Sequence, residues 1–249
     1  MKIAGIIPAR YASTRFDGKA LASIDGKPLI RHVYEKALSS LRLDRVVVAT
    51  DDARIARAVS DFGGHVVMTS PAHSCGTERV AEAAEKIEAD VIVNIQGDEL
   101  LAAGEMIDEC VSPLEDDPSL GASTLAVQIR NEGEYNNPNV VKVVRDLRGD
   151  ALFFSRSPIP RLPGPLLRDK LLSGEVEVLR HVGMYSFRRR FLFDFVKLEP
   201  TPLERVESLE QLRMLEHGER LAVVVTGHAC VGIDVPSDVE KAIEFLRSH

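Results

Sequence analysis

"KIAGIIPARYASTRFDGKAL", residues 2–21, sets an apolar run directly before a cationic loop. The run over residues 3–7 does not alternate with polar residues. It predicts a strand buried on both faces, the kind found inside parallel sheets. The pattern continues outward from it. "PLIRHVYEKALSS" places Leu29, Ile30, Val33, Tyr34, Ala37 and Leu38 at helical spacing. "RVVVAT" predicts a strand, "DDARIARAVSDF" a helix stopped by Gly63-Gly64, "HVVMT" a strand, "TERVAEAAEKI" a helix and "DVIVNIQ" a strand. This alternation predicts an α/β fold with a parallel sheet covered by helices. Ligands then bind beyond the carboxyl ends of the strands. Those ends read "PAR", "TDD" and "QGDE".

The second half changes character. "NVVKVVRDLRGDALFFSRS" predicts two extended runs around Arg148-Gly149-Asp150, an antiparallel excursion. "RLPGPLLRDKLLSGEVE" is punctuated by Pro and Gly and predicts a mobile loop. "HVGMYSF" predicts a strand. "TPLERVESLEQLRMLEHG" predicts one helix, with Thr201 and Glu204 as a capping box, Pro202 in the first turn and Gly218 at its end. "LAVVVTGHACVGI" supplies further extended segments and "SDVEKAIEFLR" a last helix. No repeat or linker divides the chain, so one domain over residues 1–249 is expected.

The net charge of -7 excludes a general nucleic-acid binder. It also means that an anionic substrate must be drawn by a local cluster. Cys75, Cys110 and Cys230 are too few and too scattered for a metal knuckle or a disulfide framework, and predict thiols in a reducing compartment. The first residues reach Pro8 and Arg10 too soon for a signal peptide, and no apolar run has membrane length. A soluble, cytoplasmic protein with no membrane partner is expected.

The connection from Pro8 to Lys27 is long for a βα unit, and such loops tend to carry function. It is not a phosphate-binding P-loop, because Gly18-Lys19 is followed by Ala20. It has no G-x-G-x-x-G. It does carry Arg10, Arg15 and Lys19, which suit phosphate oxygens; a solvated basic loop is the alternative. Asp98 and Glu99 follow an apolar strand, and Asp234 ends another apolar run. Carboxylates there can hold Mg²⁺ or simply cap a turn. Together with the cationic loop they suggest metal-assisted chemistry on a polyphosphate. Glu207, Glu210 and Gln211 lie on neighbouring helical turns, where an exposed charged face is the plainer reading.

The ordered set "IIPARYASTR", "GKPLIRHVYEKA", "VVVATDD", "GTER", "VNIQGDE", "PNVVKVV", "FSRSPIPR", "RHVGMYSFRR", "PLERVESLEQLRMLE" and "GIDVPSDVE" resembles the 3-deoxy-manno-octulosonate cytidylyltransferases, or CMP-Kdo synthetases, nearly end to end. The resemblance implies a Rossmann-like nucleotidyltransferase fold with an antiparallel insertion used for dimerisation. Residues 1–128 would be the nucleotide-binding part and residues 129–249 the sugar-binding and dimerisation part. It implies transfer of CMP from CTP to the acid sugar Kdo with Mg²⁺, in a homodimer, for lipopolysaccharide synthesis. By position, Arg10, Arg15 and Lys19 match the triphosphate set and count as catalytic with Asp98 and Asp234, the implied metal ligands. Pro8, Ala9, Ser74, Cys75, Gly76, Arg79 and Gln96 match the rest of the nucleotide site. Arg156, His181, Tyr185, Glu210 and Gln211 match the sugar side. Asp17, Cys75, Leu100 and the form "IDVPSD" depart from the family pattern. An 8-amino-Kdo enzyme, a cytidylyltransferase for another acid sugar or a phosphonate, or a CTP-binding protein without turnover are the alternatives.

Overall fold

A computed structural model describes residues 1–12, 16–101, 103–162, 167–173 and 175–248. The expected phosphate ligand Arg15 lies outside the described residues. The first half runs β1 (Ile3–Ala9), β2 (Ser23–Ile24), β3 (Lys27–Pro28), α1 (Leu29–Ala37), β4 (Arg45–Thr50), α2 (Ala53–Asp61), β5 (Val66–Met68), α3 (Gly76–Glu85) and β6 (Val91–Asn94). Strands β6, β1, β4 and β5 lie side by side and parallel, as the apolar runs predict. Along β1, Ile3, Ile7 and Ala9 enter the core on one face, and Ala4 and Ile6 the core on the other. Burial of each such branched side chain contributes about 1.5–3 kcal/mol, which is why an unbroken apolar strand demands cover on both sides.

The chain continues through β7 (Glu99–Leu101), α4 (Glu105–Asp116), β8 (Ala122–Gln128), α5 (Glu132–Asn136), β9 (Lys142–Arg145), β10 (Ala151–Ser155), α6 (Leu167–Ser173), β11 (Leu179–Arg188) and α7 (Arg189–Phe195). Strand β11 runs antiparallel to β6, to β8 and to β9. The β9–β10 pair is the expected antiparallel excursion, turning at Gly149 with φ +92°. The segment expected to be a mobile loop contains α6, whose Leu171 is buried beside Ile129 and Tyr135. Packing of that apolar side chain outweighs the flanking turn residues.

The last part comprises α8 (Pro202–Glu207), α9 (Leu212–Glu216), β12 (Leu221–Val225), β13 (Cys230–Gly232) and α10 (Asp238–Ser248). The single helix expected over residues 201–218 is two. Ser208 takes a left-handed φ of +54° between them. Thr201 and Glu204 do cap the first, and Gly218 follows the second with φ +78°. The break lets Glu207 and Glu210 reach in different directions, which a continuous helix face would not. Among the described residues no helix is long and apolar enough to cross a membrane.

Candidate active site

The cleft opens at the carboxyl ends of β1 and β6. Pro8, Ala9 and Arg10 line it from β1, Lys19 and Ala20 from the long loop, and Gln96, Gly97 and Asp98 from the turn after β6. His73 to Gly76 and Arg79 close the far wall. The expected nucleotide residues that the structure describes thus converge, with His73 and Gly97 beside them; Ala20 joins them without having been singled out in the sequence.

The loop delivers Lys19 by a specific turn. The Gly18 N–H donates to the Tyr11 carbonyl (2.9 Å), and Gly18 sits at φ +70°. A Cβ there would lie 3.0 Å from the Tyr11 ring, so glycine is required on both counts. A 3-10 turn over Lys19–Leu21 follows directly. Lys19 Nζ then donates to Asp98 Oδ2 at 2.5 Å and lies 3.6 Å from Asp234 Oδ1. Gly97 brings this turn against β1: a Cβ on it would stand 2.7 Å from the Pro8 carbonyl oxygen.

Asp98 and Asp234, far apart in sequence, therefore meet around one ammonium. The parallel sheet does not join them. A separate two-stranded antiparallel pairing does, with Gly232 opposite Glu99 and Cys230 opposite Leu101. The Ile233 N–H closes it on the Asp98 carbonyl (2.8 Å). Two carboxylates aimed at one cation position are the hard oxygen donors that Mg²⁺ prefers. No group of three His, Cys, Asp or Glu forms a metal cluster among the described residues. A two-carboxylate site suits an ion that keeps water and substrate phosphates as its other ligands. The residues present fit such an ion.

The wall at residues 73–76 is tied down from several sides. Glu78 accepts the Ser74 N–H (2.7 Å) and hydroxyl (2.9 Å), and Glu82 accepts the Ser70 N–H (2.7 Å) and contacts His73 Nε2 (2.6 Å). Arg79 is buried; its Nη1 donates to Thr69 Oγ1 (2.6 Å) and lies 3.2 Å from Asp51. It thus fixes the wall to the ends of β4 and β5 as well as lining the cleft. Gln96 donates through Nε2 to the Gly183 carbonyl (2.9 Å).

The five expected sugar-side residues are not among those lining this cleft. They form a band beside it. Phe154 on β10 meets the His181 ring edge-on at 5.0 Å, and His181 lies 5.4 Å from the Tyr185 ring. Arg156 follows β10 and donates its Nε to the Glu207 carbonyl (3.0 Å). Gln211 is buried. Glu210 crosses to the cleft wall: its Oε1 accepts from Cys75 Sγ (3.2 Å) and its Oε2 from Thr77 Oγ1 (2.7 Å). Burial and then the Glu210 charge push the Cys75 thiol up to about 12, so it stays a protonated donor. The cysteines are free, as expected. Burial, with the Glu210 charge adding to it, holds the Tyr185 phenol neutral well above its usual range.

His181 is equally fixed in its neutral form. Burial, then the positive charge of Arg180, depress it to about 3, and Nε2 lies 2.9 Å from Thr124 Oγ1. An unfolded imidazole titrates near 6.5. Between these values the unfolded chain takes a proton that the folded one refuses, so the His181 contribution is complete above pH 6.5 and is lost as pH falls toward 3. Replacing His181 by Asn is expected to flatten the fall of the melting temperature below pH 6.5. An unchanged slope in the variant would contradict a neutral, buried His181.

A β-sheet flanked by helices, with a cationic loop and paired acids at its carboxyl edge, defines a nucleotidyltransferase-like site. A family model described as cytidylyltransferase matches residues 4–221. The chain belongs to the cytidylyltransferase family, and within it to the 3-deoxy-manno-octulosonate cytidylyltransferases. Two relatives of that name, from Geobacter metallireducens and Geobacter sulfurreducens, are 51% and 52% identical; each alignment covers 99% of this chain, and 98% and 100% of the relatives. A solved structure, CMP:2-keto-3-deoxy-manno-octonic acid synthetase complexed with CTP, superposes with a TM-score of 0.90 at 39% identity over 100% of this chain and 99% of that one. A structure from Bacillus anthracis described as a putative glucose-1-phosphate thymidylyltransferase shares the fold alone, at a TM-score of 0.66 and 16% identity over 99% of this chain and 96% of that one.

Proposed function

We propose that this chain transfers CMP from CTP to the anomeric hydroxyl of 3-deoxy-manno-octulosonate, releasing pyrophosphate. The observation that carries this reading is Lys19 held between Asp98 and Asp234 at the mouth of the cleft. In the reaction a bond forms from the sugar oxygen to the α-phosphorus, the α-phosphorus bond to the bridging oxygen breaks, and the hydroxyl loses its proton. Arg10 and Lys19 offer positive charge to the phosphate oxygens, Arg15 joining them by family position, and Pro8, Ala9, Gly76 and Arg79 frame the same part of the cleft. The wall at Ser74 and Cys75, with Gln96 opposite, takes the base. Arg156, His181, Tyr185, Glu210 and Gln211 form the sugar side. Asp98 and Asp234 would hold Mg²⁺, which when bound neutralises phosphate charge and lowers the pKa of a nearby hydroxyl. No protein nucleophile is needed; alignment and charge neutralisation do the work.

On this reading residues 1–128 bind nucleotide, and residues 129–249 bind sugar and pair two copies into a homodimer. The hairpin of β9 and β10 exposes Leu147 and Leu152, which favours that face for pairing. The free thiols favour a cytoplasmic enzyme supplying activated sugar for lipopolysaccharide.

The direct test is pyrophosphate release from CTP, UTP, ATP and GTP, each with and without Kdo, its 8-amino form or sialic acid. Release is expected only with CTP and Kdo together in the presence of Mg²⁺, because buried polar groups fitted to one base reject another left unpaired. Equal turnover with ATP would sink the base assignment, and binding of CTP without turnover would make the chain a nucleotide-binding protein only.

A further inference from the structure

"NVVKVV" places a lysine in the middle of an apolar strand, a position where an ammonium is costly unless fully hydrogen-bonded. Lys142 is fully buried, with Ser155 of β10 opposite it on one side and Arg180 of β11 on the other. Its Nζ donates to three backbone carbonyls: Asn137 (2.9 Å), Val140 (2.6 Å) and Arg156 (2.6 Å). All three donors of the ammonium are therefore used.

Those carbonyls close a ring around Arg156. The guanidinium Nε donates to the Glu207 carbonyl (3.0 Å) and Nη1 to the Pro138 carbonyl (3.3 Å), within the turn that Lys142 fastens at Asn137 and Val140. The Arg156 N–H donates to Glu207 Oε2 (2.9 Å), while Glu207 Oε1 accepts from Ser155 Oγ (2.6 Å). Arg156 is thus gripped through its N–H, its carbonyl, Nε and one edge of Nη1. Nη2 makes no hydrogen bond among the described residues. What the ring leaves open is the Nη1–Nη2 end, a fork matched to a carboxylate.

A buried charge spent wholly on backbone carbonyls is an expensive way to close a turn. It is well suited to fixing a guanidinium whose free end must meet a planar anion. We propose that Lys142 and Glu207 are positioning residues that aim Arg156 at the substrate carboxylate, and that this ring sets the preference for an acid sugar. The inference rests on the reading above that the substrate is an acid sugar whose carboxylate meets Arg156.

The test compares kcat/KM for Kdo with that for its C1 carboxamide, which keeps the anomeric hydroxyl and loses the charge. Lys142→Met is expected to shrink the acid-over-amide preference about tenfold, the scale of a charge-assisted hydrogen bond, with the KM for CTP changed less than about twofold. A merely structural role would slow both sugars alike and leave the ratio intact, and that result overturns the proposal. Arg156→Ala separates the two claims. If Arg156→Ala keeps the full acid preference, the carboxylate reading itself is wrong. If it loses the preference while folded Lys142→Met retains it, Lys142 and Glu207 do not position Arg156. Should Lys142→Met prove unstable by thermal unfolding, Glu207→Gln carries the same comparison: a reduced ratio supports the ring, an unchanged ratio overturns it.

Discussion

Asp98→Asn and Asp234→Asn are each expected to lower turnover by about 10²–10³-fold while leaving the melting temperature close to that of the parent. Asp98 lines the cleft and Asp234 lies beside it, and both face the Lys19 ammonium, at 2.5 and 3.6 Å. Both are substantially exposed, so neither substitution opens a cavity. Asn keeps the shape and one oxygen but removes the charge that Mg²⁺ requires. If the two acids serve one ion, the double variant loses little more than the worse single, because the second change strikes a site already broken. The Mg²⁺ concentration at half-maximal rate is expected to rise in each single. Steady-state rates of the two singles and the double, each titrated with Mg²⁺, decide the matter. Losses that multiply in the double, with no shift in Mg²⁺ dependence, would argue that the acids orient Lys19 separately and hold no common ion.

The pairing of those acids also marks where sequence reading stops. Strands β1, β4 and β6 were legible as apolar runs buried on both faces, and the half-buried edge strand β5 because the alternation of strand and helix runs through it. The cationic loop was legible because positive charge in an acidic chain stands out. The convergence of Asp98 with Asp234 depends on β7 and β13, three residues each, which pair across more than half the chain. Nothing in either segment's local pattern names the other. The same holds for α4, whose amphipathic run contains Pro113, and for β8, which borders β11 along its length. The break at Ser208 was hidden for a related reason. Thr201, Pro202 and Glu204 give a sound helix start, and residues 209–216 remain helix formers. The interruption comes from carboxylates drawn to partners on β10 and α3, a tertiary demand that overrides local propensity.

That demand gives the second large effect. Glu210→Gln is expected to raise the KM for CTP by about tenfold or more, with a smaller change in the KM for the sugar. By family position Glu210 belongs to the sugar side, yet both of its oxygens accept from the cleft wall proposed to hold the nucleotide, from Cys75 Sγ and Thr77 Oγ1. Gln offers one acceptor where Glu offers two, so one donor beside the cleft loses its partner. Hydrogen bonds to a charged acceptor are worth about 1.5–3 kcal/mol, which sets the size expected. The wall would then lose its tie to the segment between α8 and α9, and with it the alignment of the start of α3. Thr77→Val, which removes the shorter bond and keeps the shape, should reproduce most of the effect. Combined with Glu210→Gln it should add little, since both changes cut one contact. Cys75→Ser should be mild, because a hydroxyl can donate to the same oxygen. Thermal unfolding of each variant guards against a general loss of packing. A rise confined to the sugar KM, with CTP kinetics unchanged, would return Glu210 to the sugar and leave the nucleotide wall to stand without it.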